Sequence, residues 1–110
     1  SRFALIASLA HIFTEDEILD LQSLAHQVFM SEAIQEYLLD LAEETRKNRH
    51  GLSTRGLLAL KRAAQAHALI QQRAFVTADD VQAVFVAVTS HRLGLSEAET
   101  LNVMQQVAVS

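Results

Sequence analysis

The sequence predicts an all-α domain, a small bundle of about five to six helices. Half of its 110 residues are apolar and only 5% are aromatic, and an apolar fraction rich in alanine, leucine and valine suits packed helices better than a sheet. Apolar residues recur at helical spacing along most of the chain, which contains no proline. We therefore expect residues 1–110 to form a single helical domain that can bury one core.

The N-terminal part of the chain predicts two helices and a link. Apolar residues spaced by three predict an opening helix over about 2–12. Thr14 and Glu17 form a capping-box pattern, which predicts a second helix over about 15–26. Residues 28–30 then read as a short extended link.

Capping residues predict where four further helices begin. Ser31 precedes one of them, and Ser53 precedes a long helix over about 54–72. Thr77 caps the next helix, and Ser96 begins a capping box for a final helix of about two to three turns. Each of these four helices has a predicted apolar face. In chain order the faces are Ile34, Tyr37, Leu38, Leu41 and Ala42 after Ser31; Leu57, Leu60, Ala64 and Ala68 after Ser53; Val81, Val84, Phe85 and Val88 after Thr77; and Leu101, Val103, Met104 and Val107 after Ser96.

Charge and composition limit the kinds of partner. The net charge of −4 opposes non-specific binding to nucleic acid. No apolar run approaches the roughly 20 residues needed to cross a bilayer, and no cysteine is present to form disulfides. We expect a cytoplasmic domain that binds neither nucleic acid nor a membrane, and, because the chain opens on Ser1 without Met, we expect it to be a piece of a longer protein.

The sequence contains no complete active site. Its glycines cannot supply a phosphate-binding loop of the form GxxxxGK[ST], and there is no GxSxG nucleophile elbow. No two histidines have the i, i+4 spacing of a helical metal site, so we expect no metal. The acids in the first turns of the predicted helices are explained by the helix dipole alone. The chain by itself is therefore not expected to be catalytic.

Arg55 is the candidate functional residue. The first turn of a helix favours acids, yet Thr54 and Arg55 follow the cap Ser53 directly. The neighbouring Gly51 and Gly56 are small, so a ligand could approach the backbone closely. A guanidinium beside the free N–H groups of a helix start suits a phosphate, although a surface arginine that reaches into solvent is the alternative.

The ordered motifs of the chain also resemble a known family. The stretches VFMSEAIQEYLLDLAEETR and GLSTRGLLALKRAAQAHALIQQRAFVTADDVQAVFVAVTSHRL look like the C-terminal helical lid of MoxR-type AAA+ ATPases. The resemblance runs from about residue 12 to residue 109, and its most specific part is the ordered set ETR, GxSxR, RAFVTADDV and SHRL. It implies the lid of a chaperone-like enzyme that hydrolyses ATP.

The resemblance implies roles for four residues of the GLSTR segment. Arg55 would be the sensor 2 arginine that reaches the γ-phosphate, completing a catalytic site, with Gly51, Ser53 and Thr54 also in the ATP-binding region. The phosphate loop, the Mg²⁺-binding acids and sensor 1 would lie in a preceding α/β core domain. ATP and Mg²⁺ are thus expected in the full-length protein, and neither is expected to bind this fragment tightly.

Further expectations rest on the same resemblance. The lid would work with its own AAA+ core domain in a homo-oligomer, a hexameric ring, that remodels or matures client proteins, with a von Willebrand factor A-domain protein as a partner. Arg46, His91 and Arg92 fall on signature positions of the family, and we expect ion pairs for them within the bundle. The family commonly has Pro where this chain has Thr54 and Ala where it has Gly56, and both differences loosen the turn that aims Arg55.

Two other interpretations remain open from the sequence. The chain could be the lid of another AAA+ class, such as a chelatase or a helicase-related loader. It could also be a free-standing helical interaction module without a nucleotide role. Walker A and Walker B motifs upstream of Ser1 would favour an ATPase, and a natural start near Ser1 would exclude one.

Overall fold

The computed structural model of the chain describes residues 23–47 and 51–108. These ranges contain four helices, which we name in chain order: α1 (Glu32–Thr45), α2 (Thr54–Ile70), α3 (Ala78–Leu93) and α4 (Glu97–Gln105). Residues 23–25 are also helical, and no strand occurs in the described ranges. The prediction of an all-α bundle is confirmed.

Some predictions cannot be compared with this structure. The predicted helix over 2–12, the capping box of Thr14 and Glu17, and most of the predicted helix over 15–26 lie outside the described residues. None of the described helices is long and apolar enough to span a membrane.

The predicted capping residues do begin the four helices. Ser31 and Ser53 each accept a hydrogen bond from the backbone amide three residues further on, at 3.3 and 3.1 Å. Thr77 and Ser96 open complete capping boxes, in which the acid three residues later also bonds the amide of the cap. These short-range signals place helix starts well because each cap satisfies an amide that the helix itself leaves without an acceptor.

Helix α2 ends two residues earlier than the sequence pattern predicts. Gln72 adopts a φ of 61°, and the amide of Arg73 donates to the carbonyl of Ala68 at 2.9 Å. The left-handed residue turns the chain out of the helix. Glutamine is an ordinary helix former, so the sequence gives no sign of this end.

The core lies where α1, α2 and α3 meet, and α2 and α3 share the most extensive contact. The predicted apolar faces of these three helices point into it. The core residues with 0–1% of their surface exposed on these helices are Tyr37, Leu41, Ala42, Leu60, Ala64, Ala68, Val81, Phe85 and Val88. The small residues of α2 allow its neighbours to approach closely, as the sequence indicates.

Helix α4 packs against α3 and α1, and the predicted Val103, Met104 and Val107 are partly buried against the core, but the fourth predicted residue is not. Leu101 is 41% exposed, whereas Thr100 is fully buried. The Thr100 hydroxyl donates to the carbonyl of Ser96 at 2.9 Å. Since that bond satisfies the hydroxyl within the helix, Thr100 can be buried at little cost.

The segment that precedes α1 and the segment that follows α2 lie side by side. Phe29 and Phe75 form an isolated parallel bridge. The amide of Phe29 donates to the carbonyl of Ala74, and the amide of Val76 donates to the carbonyl of Phe29, both at 2.9 Å. Buried Gln65 of α2 donates to the Val28 carbonyl at 2.9 Å. The predicted link over 28–30 therefore pairs with the segment that follows α2.

Candidate functional site

The start of α2 differs in charge from the starts of the other described helices. No acid lies in the first turn of α2, and the second residue of the helix is Arg55. The other three described helices each carry at least one acid in the first turn, namely Glu32, Asp79 and Asp80, and Glu97 and Glu99. The positive end of the α2 dipole therefore meets a cation instead of an anion.

Arg55 is exposed, and its guanidinium has no hydrogen bond or ion pair with any of the described residues. The amides of Thr54 and Arg55 likewise lack an acceptor in this part of the chain, whereas the next amide, that of Gly56, bonds Ser53 Oγ. One guanidinium and two backbone donors thus stand together at the helix start. Such donors suit a phosphate oxygen.

A cleft of about 540 Å³ lies beside this helix start. Its walls come from the segment that enters α2 and from the last turn of α3, so two distant parts of the sequence form it. The lining residues are Gly51, Leu52, Ser53, Gly56, His91, Arg92 and Leu93. No carboxylate is among them, and the ionisable side chains of the lining, His91 and Arg92, are of the basic type.

Arg92 reaches back from α3 toward the first turn of α2. A Cβ added at Gly56 would lie 3.5 Å from Cδ of Arg92 and 3.0 Å from Cδ2 of Leu52. The absence of a side chain at buried Gly56 therefore lets the Leu52 side chain pack closely on the helix start, whereas the Arg92 stem would make only an ordinary van der Waals contact with such a Cβ. Gly56 costs helix propensity, but the structure shows a packing reason for it that the sequence did not reveal.

The predicted site residues fall into two groups. Gly51 and Ser53 line the cleft, whereas Thr54 and Arg55 are exposed at its edge and are not among the lining residues. Contact of these four residues with ATP stays a prediction.

Arg46, His91 and Arg92 do not form the expected ion pairs within the described residues. The ion pairs in this part of the chain join Lys47 to Glu44 and join His67 and Arg73 to Asp80. Arg46 instead donates from Nη2 to the carbonyl of Leu52 at 3.1 Å. His91 and Arg92 lie in the cleft wall.

A buried polar cluster on the α2 and α3 pair was missed by sequence reasoning. Asp80 is fully buried and accepts two hydrogen bonds from Arg73, at 2.5 and 2.6 Å. It also accepts from the Thr77 amide at 2.7 Å and from the Thr77 hydroxyl at 3.1 Å. Nδ1 of His67 lies 2.6 Å from Oδ1 of Asp80. The helix dipole accounted for Asp80 as one of the first-turn acids, and no pattern in the sequence indicated its pairing with His67 or Arg73.

The Asp80 cluster is structural in character. Burial acts to raise the pKa of Asp80, but the hydrogen bonds from Arg73, Thr77 and His67 outweigh it and hold the pKa well below its usual range. Asp80 is therefore a carboxylate at neutral pH, and both of its oxygens are engaged by Arg73, Thr77 and His67. No group of three or more potential metal ligands occurs in residues 23–47 and 51–108.

The fold points to a class of protein, because a small all-α bundle of this kind is consistent with an AAA lid domain. The family comparison agrees, because the family model described as "AAA lid domain" matches residues 42–109. The chain belongs to the AAA lid domain family.

Two known proteins are similar to the chain over most of its length. It is 30% identical over 107 residues to "Uncharacterized protein YeaC" of Bacillus subtilis (strain 168), covering 94% of this chain and 33% of that protein. Its fold matches the crystal structure of "a putative ATPase" from Cytophaga hutchinsonii with a TM-score of 0.72 and 20% identity, covering 86% of this chain and 36% of that one. The chain thus spans about a third of the length of both.

Proposed function

We propose that the chain is the nucleotide-responsive lid of a MoxR-type AAA+ ATPase and that Arg55 is its sensor 2 arginine. The observation that carries this proposal is the start of α2, where exposed Arg55 replaces the acids found in the first turns of the other described helices. A cation at this position opposes the helix dipole by about 0.3–1 kcal/mol. A phosphate carried by another domain removes that conflict.

The chemistry of the helix start fits this role. A guanidinium can bond two phosphate oxygens at once, and the amides of Thr54 and Arg55 add donors along the dipole axis. During ATP hydrolysis, negative charge is spread over the oxygens of the transferred phosphoryl group, and fixed donors stabilise it. Closure of the lid would bring Arg55 to the γ-phosphate and would couple nucleotide state to domain angle.

The remaining parts of the ATP site belong, in this proposal, to an α/β core domain of the full-length protein. That domain would supply the phosphate loop and the residues that hold Mg²⁺, and Gly51, Ser53 and Thr54 of the lid would cover the nucleotide. The share of about a third that the chain spans of its two relatives leaves room for such a domain. We therefore treat ATP and Mg²⁺ as cofactors of the full-length protein.

The MoxR assignment rests on the ordered motifs ETR, GxSxR, RAFVTADDV and SHRL. With it come a hexameric ring, chaperone-like remodelling or maturation of client proteins, and a von Willebrand factor A-domain partner. The sequence preceding Ser1 in the natural protein tests the ATPase part of the proposal. We expect Walker A and acidic Walker B motifs there, and a natural start near Ser1 would refute it.

The role of Arg55 is tested by Arg55→Ala in the full-length protein. We expect ATP turnover to fall at least about tenfold, because a donor to the transferring phosphoryl group is lost. Arg62→Ala is the matched control, since Arg62 is also exposed on α2 but lies two turns further along the helix, and it should leave turnover unchanged. Unchanged turnover in Arg55→Ala would refute the sensor role.

A further inference from the structure

The C-terminal end of α1 holds the segment that enters α2. The amide of Leu52 donates to Thr45 Oγ1 at 3.0 Å, and the carbonyl of Leu52 accepts from Arg46 Nη2 at 3.1 Å. Thr45 is itself fixed, because its hydroxyl donates to the carbonyl of Ala42 at 2.5 Å. Both backbone groups of Leu52 are therefore bound by two consecutive residues of α1 and its cap.

A close contact reinforces these bonds. A Cβ added at Gly51 would overlap Cγ of Arg46 and would lie 2.9 Å from its Cα and Cβ. The stem of Arg46 thus occupies the space that a side chain at position 51 would need. The requirement for glycine here comes from Arg46, whether or not a ligand also approaches Gly51.

The position of Leu52 can determine the position of the start of α2. Its side chain is buried, with 1% of its surface exposed, and it directly precedes the cap Ser53. The start of α2 and the direction in which Arg55 leaves it therefore depend on where Leu52 is held. Catalytic groups are sensitive to such placement, since an error of about 1 Å can cost about a hundredfold in rate.

We propose that Thr45 and Arg46 form a clasp on Leu52 that positions Arg55 for the nucleotide. This inference rests on the proposed sensor role of Arg55. The clasp does not contact the nucleotide; it acts through Leu52 and Ser53 on the start of α2. It assigns a function to the ETR and GLS parts of the chain as one unit, although residues 48–50 separate them in sequence.

The test measures kcat and KM for ATP in the full-length protein. Arg46→Met removes the donor to Leu52 while keeping an unbranched side chain, and because Arg46 is exposed the fold should tolerate it. Gly51→Ala disturbs the same clasp without changing a charge, because the added Cβ would overlap the Arg46 side chain. Arg46→Met is made alone and together with Arg55→Ala, and Gly51→Ala is made alone. Lys47→Met is the control, because neighbouring Lys47 pairs with Glu44 at 2.7 Å and not with Leu52.

We expect Arg46→Met and Gly51→Ala each to lower kcat about tenfold with little change in KM, because Arg55 acts on the transition state. In the Arg55→Ala background Arg46→Met should lower kcat less than about twofold, because no arginine remains to be positioned. Thermal unfolding checks that each variant is folded, and Lys47→Met should match the parent protein.

The outcomes separate this inference from the sensor proposal. If Arg55→Ala lowers kcat but Arg46→Met does not, the clasp is refuted and the sensor role stands. An equal fall in kcat in both backgrounds shows a general structural role and also refutes the clasp. If Arg55→Ala itself has no effect, the sensor proposal fails, and the positioning role fails with it.

Discussion

The replacement Asp80→Asn removes the charge at the centre of the buried cluster with almost no change of shape. In the structure the two carboxylate oxygens accept hydrogen bonds from Arg73, Thr77 and His67 at distances of 2.5 to 3.1 Å. An amide keeps only one acceptor oxygen and turns an NH₂ group toward donors on the other side. At least one bond to Arg73 or His67 is therefore lost, and the others lose their ionic character.

The structure limits the size of the effect. Loss of one partner from a buried ion pair costs about 3–5 kcal/mol. Asp80 is fully buried, but 28% of the Arg73 side chain is exposed, so water can take over part of the guanidinium's hydrogen bonding. We therefore expect the free energy of unfolding at pH 7 to fall by about 3 kcal/mol, at the low end of that range.

The pH dependence provides a second measurement of the same cluster. Because folding lowers the pKa of Asp80, its contribution to stability is fully present above the unfolded pKa of about 3.9 and decreases progressively as pH falls from there through the lower folded pKa. Urea unfolding followed by circular dichroism at pH 7 and near pH 3 should show a smaller difference between parent and variant at the lower pH. A difference that is under about 1 kcal/mol at pH 7, or that does not shrink on acidification, would refute the assigned ion pair.

Two other predictions concern the isolated chain. In a calorimetric titration it should bind ATP with Mg²⁺ weakly or not detectably, because it supplies only the lid side of the proposed site; tight binding would contradict the half-site interpretation. Gly94→Ala should lower the free energy of unfolding by about 1 kcal/mol, because Gly94 has a φ of 66° and an added Cβ would meet no other atom within 4 Å, so the cost is that of the backbone conformation. Gly94→Asn should lower the free energy of unfolding less, because asparagine tolerates this conformation better. An equal effect of both replacements would argue against the left-handed cap.

The helix starts could be predicted from the sequence because their signals are local. Ser31, Ser53, Thr77 and Ser96 each act on an amide three residues away, so neighbouring residues contain the information. The apolar faces of α1, α2 and α3 are equally local in character. The early end of α2 could not be foreseen, because it depends on a left-handed conformation at Gln72 that its residue type does not favour.

The candidate site was only half predictable. The unusual charge of Arg55 could be recognised from the sequence of one helix, because the first turn of a helix favours acids. The cleft, in contrast, needs α3 to return toward the start of α2, which brings Arg92 to Gly56. The pairing of Arg73 and His67 with Asp80 likewise joins α2, a link and α3. Such contacts depend on tertiary packing, and no spacing in the sequence encodes them directly.

Gly56 is the residue where local and tertiary effects oppose each other, and Gly56→Ala measures the balance. Alanine should gain about 0.5–1 kcal/mol of helix propensity. Its Cβ would, however, lie 3.0 Å from Cδ2 of Leu52, whose side chain is buried and whose backbone is bound at both polar groups. We therefore expect Gly56→Ala to leave the free energy of unfolding nearly unchanged or to lower it. In a Leu52→Val background, which removes that Cδ2, the same replacement should stabilise the chain by about 0.5–1 kcal/mol. A full gain with Leu52 intact would show that the packing of Leu52 on Gly56 imposes no constraint.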